Sequence, residues 1–258
     1  MKVLDSKSSV VTSHRGFESH PLRHNLEIYK AANVRLFRIN NRGDLMKKFL
    51  AMIILAALFM TGCAKEDSPE AALAEIKVAL AERDSKKLAD RADLDEFFSK
   101  TYDAATVELA KNYDVYKEKY PDDPYFQHSA EFLTEYNGEH KDLHLKFLRG
   151  VADSYFAKIP EPATPEDNPT AYVANEFEKI RQATNATVKE ISISENSAVI
   201  TLEVAGNDSL RGKFIGQMIF KLSFHKDEKN RWHFDEIINL DELTPALVDK
   251  AEMVWVNF

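Results

Sequence analysis

From residue 69 onward the apolar positions recur every three to four residues, and beyond residue 186 that period changes to two. Proline directly after a capping residue marks four helix starts, at Ser68-Pro69, Asp123-Pro124, Asn168-Pro169 and Thr244-Pro245. The first helix runs from Pro69 to about Arg83 with Leu73, Ile76 and Leu80 on one face, and Asp84-Ser85 starts a short one through Leu88. Asp93, with Glu96 three residues on, forms a capping-box pattern. It opens a longer helix striped by Leu94, Phe97, Phe98, Tyr102, Ala105 and Leu109. The next helix carries Phe126, Ala130 and Leu133 and stops near Asn137-Gly138, and another carries Leu143, Phe147, Leu148, Val151, Tyr155 and Phe156. Pro160, Pro162, Pro165 and Pro169 make a stiff connector, after which Val173, Phe177 and Ile180 stripe one more helix.

The alternating part predicts four strands. Residues 187–194 and 198–205 read as a hairpin around Glu195-Asn196-Ser197. In residues 213–225, Phe214, Met218, Phe220, Leu222 and Phe224 face one way; in 232–240, Trp232, Phe234, Ile238 and Leu240 do. Helices first and a meander afterwards is an α+β pattern. The expected fold is a single domain over 69–258, cone-like or cystatin-like. Helices of 69–183 should cover one face of a four-stranded antiparallel sheet, and a last helix should span 244–253.

Ahead of this domain the pattern is of another kind. Met46-Lys47-Lys48 is a short basic start, and residues 49–60 are an unbroken apolar run of 12. That length suits a signal-peptide core and falls short of the roughly 20 residues a spanning helix needs. Met60-Thr61-Gly62-Cys63 follows and resembles the lipobox of bacterial lipoproteins. The resemblance implies that Cys63 is acylated, for example with palmitate, and begins the mature chain. Met60 stands where that box usually has Leu. Residues 64–68 then form a tether of at most about 17 Å. Ala64 follows the cysteine, so the aspartate that retains many enterobacterial lipoproteins in the inner membrane is absent. The resemblance thus implies the outer membrane in a host with two.

Residues 1–45 precede a signal that should open a chain. Gly16-Phe17-Glu18-Ser19 and Leu22-Arg23-His24 resemble the translation of a transfer-RNA gene's T-arm and 3′ end. The expectation is that translation starts at Met46. On that reading residues 1–45 do not pack on the mature domain, and residues 49–60 form an isolated helix.

Charge separates the same two regions. Residues 1–63 carry 10 Lys/Arg against 4 Asp/Glu, and residues 64–258 carry 24 against 38, a net −14. Such an acidic surface repels nucleic acid and anionic headgroups, so no nucleic-acid partner is expected. Cys63 is the only cysteine. Once acylated, it leaves a chain without disulfides, thiolate metal sites or a cysteine nucleophile. The five glycines after Cys63 form no phosphate loop or dinucleotide fingerprint.

Candidate chemistry is sparse, and no catalytic, cofactor or metal residue is assigned. His140 and His144 are spaced to share a helix face, but Lys141 stands where a zinc-protease helix needs Glu. His225 and His233 are placed to face each other across the last hairpin. Asp122-Asp123 and Asp241-Glu242 flank helix starts, where capping accounts for them. Asp235 and Glu236, adjacent on a strand, should point to opposite faces. Glu236 would then share the face of Trp232, Phe234 and Ile238, where a carboxyl has a raised pKa and can serve as a base. Its plainer reading is a carboxylate at an open rim.

Two stretches are similar to small envelope proteins of nuclear-transport-factor-2-like fold. One is residues 70–98, where the first helix ends in Arg83-Asp84 before a short helix and an Asp-rich turn. The other is the last hairpin with its Trp-led strand, residues 220–243. The resemblance implies a cone whose aromatic lining (Phe214, Phe220, Phe224, Trp232, Phe234) can leave an apolar pocket. The expected function is a non-enzymatic envelope module that binds a protein or an apolar small ligand. The rival is an isomerase or hydratase with Glu236 as base.

Overall fold

The computed structural model describes residues 67–162 and 164–257. Cys63 and the expectations for residues 1–45 and 49–60 lie outside the described residues.

Eight helices and one sheet follow in order among them. They are α1 (Pro69–Glu82), α2 (Ser85–Ala89), α3 (Leu94–Lys111), α4 (Tyr113–Lys119), α5 (Ala130–Phe156), α6 (Pro169–Gln182), β1 (Thr184–Ser194), β2 (Ser197–Gly206), α7 (Leu210–Ile215), β3 (Gln217–Lys226), β4 (Trp232–Ile237) and α8 (Leu240–Asn257). The caps act as the sequence implies. Ser68 accepts from Ala71 N, Asp84 from Lys86 N and Lys87 N, Asp93 from Asp95 N and Glu96 N, and Asn168 from Ala171 N. The capping box at Asp93 is one-sided, because Glu96 pairs with Lys100 at 2.8 Å.

The sheet is antiparallel in the sequential order β1-β2-β3-β4. Its inner face carries Ala198, Ile200, Leu202 and Val204 from β2, which pair with Phe224, Leu222, Phe220 and Met218 of β3. All eight are buried. Helices α1, α3, α6 and α8 pack on the sheet, and α5 lies outside them against α3 and α6. The α+β expectation therefore holds. The long helical middle forms an additional outer layer.

Several boundaries differ from expectation, each for a physical reason. Asn137-Gly138 does not stop a helix, and α5 runs through it for 27 residues. Asn137 is fully buried and its amide bonds Thr106 and Tyr125, so packing outweighs a local stop signal. Asp123-Pro124 opens only a single 3₁₀ turn, Pro124–Phe126. Phe214 sits in α7 rather than in a strand, because Ser209 caps a short helix by accepting from Gly212 N.

Thr244-Pro245 is not the start of α8. The buried Asn239 precedes it: its Oδ1 accepts from Lys221 N, and its Nδ2 donates to Ile219 O and Glu242 Oε2. The helix thus begins five residues before Pro245, at Leu240. The Thr244 hydroxyl donates back to Leu240 O at 2.6 Å inside it.

Two bulges decide which side chains face inward. In β1 the register slips between Val188 and Glu190, so Lys189 is extra and Ile191 keeps to the face of Val188. In β4, Ser223 pairs with Glu236 but Phe224 with Phe234, which makes Asp235 extra. After that slip Ile237, not Ile238, pairs with Leu222 and enters the core; the two are 3% and 47% exposed. Ile237→Ala should therefore lower stability by about 2–5 kcal/mol. Ile238→Ala should change it by less than about 1 kcal/mol, as a surface substitution does. Equal losses in chemical denaturation would show that the bulge is misplaced.

Candidate functional site

The same bulge settles where Glu236 lies. It stands opposite Ser223 on the outer face and is half-exposed. Asp235 also turns outward, reaching His225 Nδ1 at 2.5 Å. The two carboxylates thus do not point to opposite faces, because one extra residue breaks the alternation. Glu236 is not set against Trp232 and Phe234, so the base that an isomerase or hydratase would need is not on the apolar lining.

That lining is not open to solvent. Phe220, Phe224, Trp232 and Phe234 are all buried. Phe97 of α3 packs on Phe234 with ring centroids 5.2 Å apart, and Phe234 packs edge-on to Phe224 at 5.6 Å. The expected open mouth is filled by the helix layer.

Polar groups gather instead at one end of the sheet, where both hairpin turns lie. Lys226 N donates to Asn196 O, which joins the β3–β4 turn to the β1–β2 turn. Asp67 closes the same end. Its carboxylate accepts from Trp232 N at 3.0 Å and pairs with Arg91 Nη1 at 2.7 Å. Arg91, buried at the foot of β4, also bonds Glu75 Oε2 at 2.6 Å and Trp232 O at 3.2 Å. Its backbone carbonyl accepts from Phe234 N, which covers part of the β4 edge. Lys226 Nζ lies 5.2 Å from the centre of the Trp232 ring, a cation–π contact at the rim.

His225 and His233 do pair across this hairpin, with rings 5.9 Å apart. Each donates to a carboxylate: His225 Nδ1 to Asp235, and His233 Nε2 to Asp227 at 3.1 Å. Asp227 also accepts from the backbone N–H of Lys229 and Arg231 and from the Arg231 guanidinium. The Arg231 backbone N–H is the leading cause that holds its pKa down at about 2. Folding lowers this pKa below its ordinary value near 3.9. The turn's contribution is therefore fully present above about pH 4 and fades as pH falls toward 2. A carbon-detected NMR titration should place the Asp227 midpoint near 2. A midpoint near the ordinary value of about 4 would mean the turn does not form.

The remaining candidates are structural. His140 Nδ1 donates to Tyr136 O. Tyr102 OH donates to Asn137 O and so accepts from His144 Nδ1 at 2.8 Å. The His140 and His144 rings are 6.2 Å apart. Among the described residues no three His, Cys, Asp or Glu side chains converge as a metal site. Asp123 caps the 3₁₀ turn by accepting from Tyr125 N, and Glu242 bonds Lys221 and Asn239. Burial raises the pKa of Tyr102 and Tyr125 and pushes Tyr155 up to about 12. No helix among the described residues is long and apolar enough to cross a membrane.

The sequence pattern does not mark Arg91 or Asn239, and it marks Asn137 only as a helix stop. Each is a polar residue whose partners come from distant segments, so no local spacing marks its role. No family model, curated protein or solved structure matches the chain.

Proposed function

We propose that the chain is a cell-envelope lipoprotein, anchored through an acylated Cys63, whose domain serves as a non-enzymatic binding or structural module. The observation that carries this reading is the signal pattern of residues 46–63. The tether supports it: Asp67, only four residues beyond Cys63, is already bonded to Arg91 and Trp232. Ala64 favours the outer membrane where the host has two. The opening helix ending in Arg83-Asp84 and the Trp-led last strand favour a nuclear-transport-factor-2-like relationship. Because the apolar lining is covered, partner contacts fall to the outer surface of the domain. An apolar small ligand would have to bind elsewhere.

Metabolic labelling with an alkyne fatty acid tests the anchor. Wild-type protein should incorporate the label, Cys63→Ser should not, and intact mass should place acylated Cys63 at the N-terminus. Equal labelling of both, or a mature chain that still contains residues before Cys63, would overturn the proposal.

A further inference from the structure

We infer that the domain sits on the bilayer by the pole that carries its two hairpin turns, with the α7 pole directed away. This rests on acylation of Cys63. The structure adds where the chain enters the fold. Asp67 is held by Trp232 N and Arg91 beside the β3–β4 turn. From Cys63 to Asp67 there are four residue steps, which span at most about 14 Å. The opposite pole lies one strand length away: β2 runs from Ser197, beside the turn pole, to Gly206, next to α7. Its ten residues cover about 30 Å. A tether of about 14 Å cannot cross that distance, so the domain cannot stand on its Gly206 pole with the turns directed away from the membrane.

Charge separates resting on the turns from lying on one side. The two turns together carry Lys226, Lys229 and Arg231 against Glu195, Asp227 and Glu228, which leaves them with no net charge. The chain from Ala64 onward carries −14, so the acidic surplus lies outside the two turns. Anionic headgroups repel that surplus over a Debye length of about 8 Å, and the neutral turns meet them at least cost. The exposed groups of the turns, Glu195, Asn196, Glu228, Lys229 and Asn230, are polar. They suit contact with headgroups rather than insertion.

Acylation of Cys63 leaves no thiol in the mature chain, so single cysteines introduced at Lys229 and Asp208 can be labelled selectively. Both positions are exposed, one at each pole. The lipidated full-length product is reconstituted in vesicles of phosphatidylethanolamine and phosphatidylglycerol that contain a headgroup-nitroxide lipid. Flotation is measured first, then fluorescence quenching at each label. The expected result is flotation, with quenching severalfold stronger at 229 than at 208. Inserting about 12 Gly/Ser residues after Lys65 adds a mean span of about 20 Å and should bring the two signals together. Equal quenching in floating wild-type protein, or stronger quenching at 208, would overturn the orientation and leave the anchor standing. Protein that does not float would overturn the anchor and the orientation together.

Discussion

Replacing Phe234 with alanine should lower stability by about 3–5 kcal/mol, as removal of a buried aromatic ring does. In a domain of this size that corresponds to a fall in Tm of roughly 6–20 °C. The ring joins two layers: it packs on Phe97 of α3 at 5.2 Å and on Phe224 of β3 at 5.6 Å. Phe97 continues the contact to Phe98 at 5.9 Å. Deleting the middle of this series leaves a cavity between sheet and helices, and each lost ring pair adds about 0.5–1.5 kcal/mol to the lost burial. Leu143→Ala is the control, since that side chain is 60% exposed and should change stability by less than about 0.5 kcal/mol. Thermal unfolding followed by circular dichroism measures both. A loss under about 1 kcal/mol at Phe234 would mean that the helix layer does not close over this face.

Two neighbouring substitutions in α5 should act in opposite directions. Asn137→Ala removes the amide that donates to Thr106 Oγ1 at 3.2 Å and to Tyr125 OH at 2.8 Å, and that accepts from Tyr125 OH. Buried polar atoms left without partners cost about 1–3 kcal/mol each, so a loss of about 2–4 kcal/mol is expected. Gly138→Ala should instead stabilise by about 0.5–1 kcal/mol through helix propensity. A methyl group there would meet nothing within 4 Å. The pair discriminates sharply. A helix that ended at Asn137-Gly138 would make Asn137 a solvated cap and Gly138 a left-handed stop, and the Gly138→Ala sign would reverse. Urea midpoints for the two variants decide it.

The legible part of this protein follows local rules. Capped helix starts at Ser68, Asp84, Asp93 and Asn168 were readable because cap and first turn are contiguous in sequence. The four strands and their order were readable because period-two alternation and short turns leave a meander as the simplest pairing. Structure departs from the local pattern where a distant partner outweighs the local signal. Asn137-Gly138 carries a local stop signal, yet Thr106 and Tyr125 hold Asn137 in mid-helix. Thr244-Pro245 carries a local start signal, yet Asn239 bonds the β3 backbone and begins the helix earlier.

The candidate site divides the same way. The resemblance of residues 46–63 to a lipoprotein signal, the absence of any other cysteine and the acidic charge after it are legible from sequence alone. They need no fold to be read, because such patterns and net charge belong to the linear chain. The facing of Glu236 was not available there. A single bulged residue, Asp235, moves Glu236 to the outer surface and puts Ile237 in the core. With a side-chain period of two, one extra residue exchanges faces for everything after it. Nothing in the alternating sequence says which strand takes the extra residue. Pairing with β3 and packing against the helix layer decide it, as they decide that Asp67 enters the fold beside Trp232.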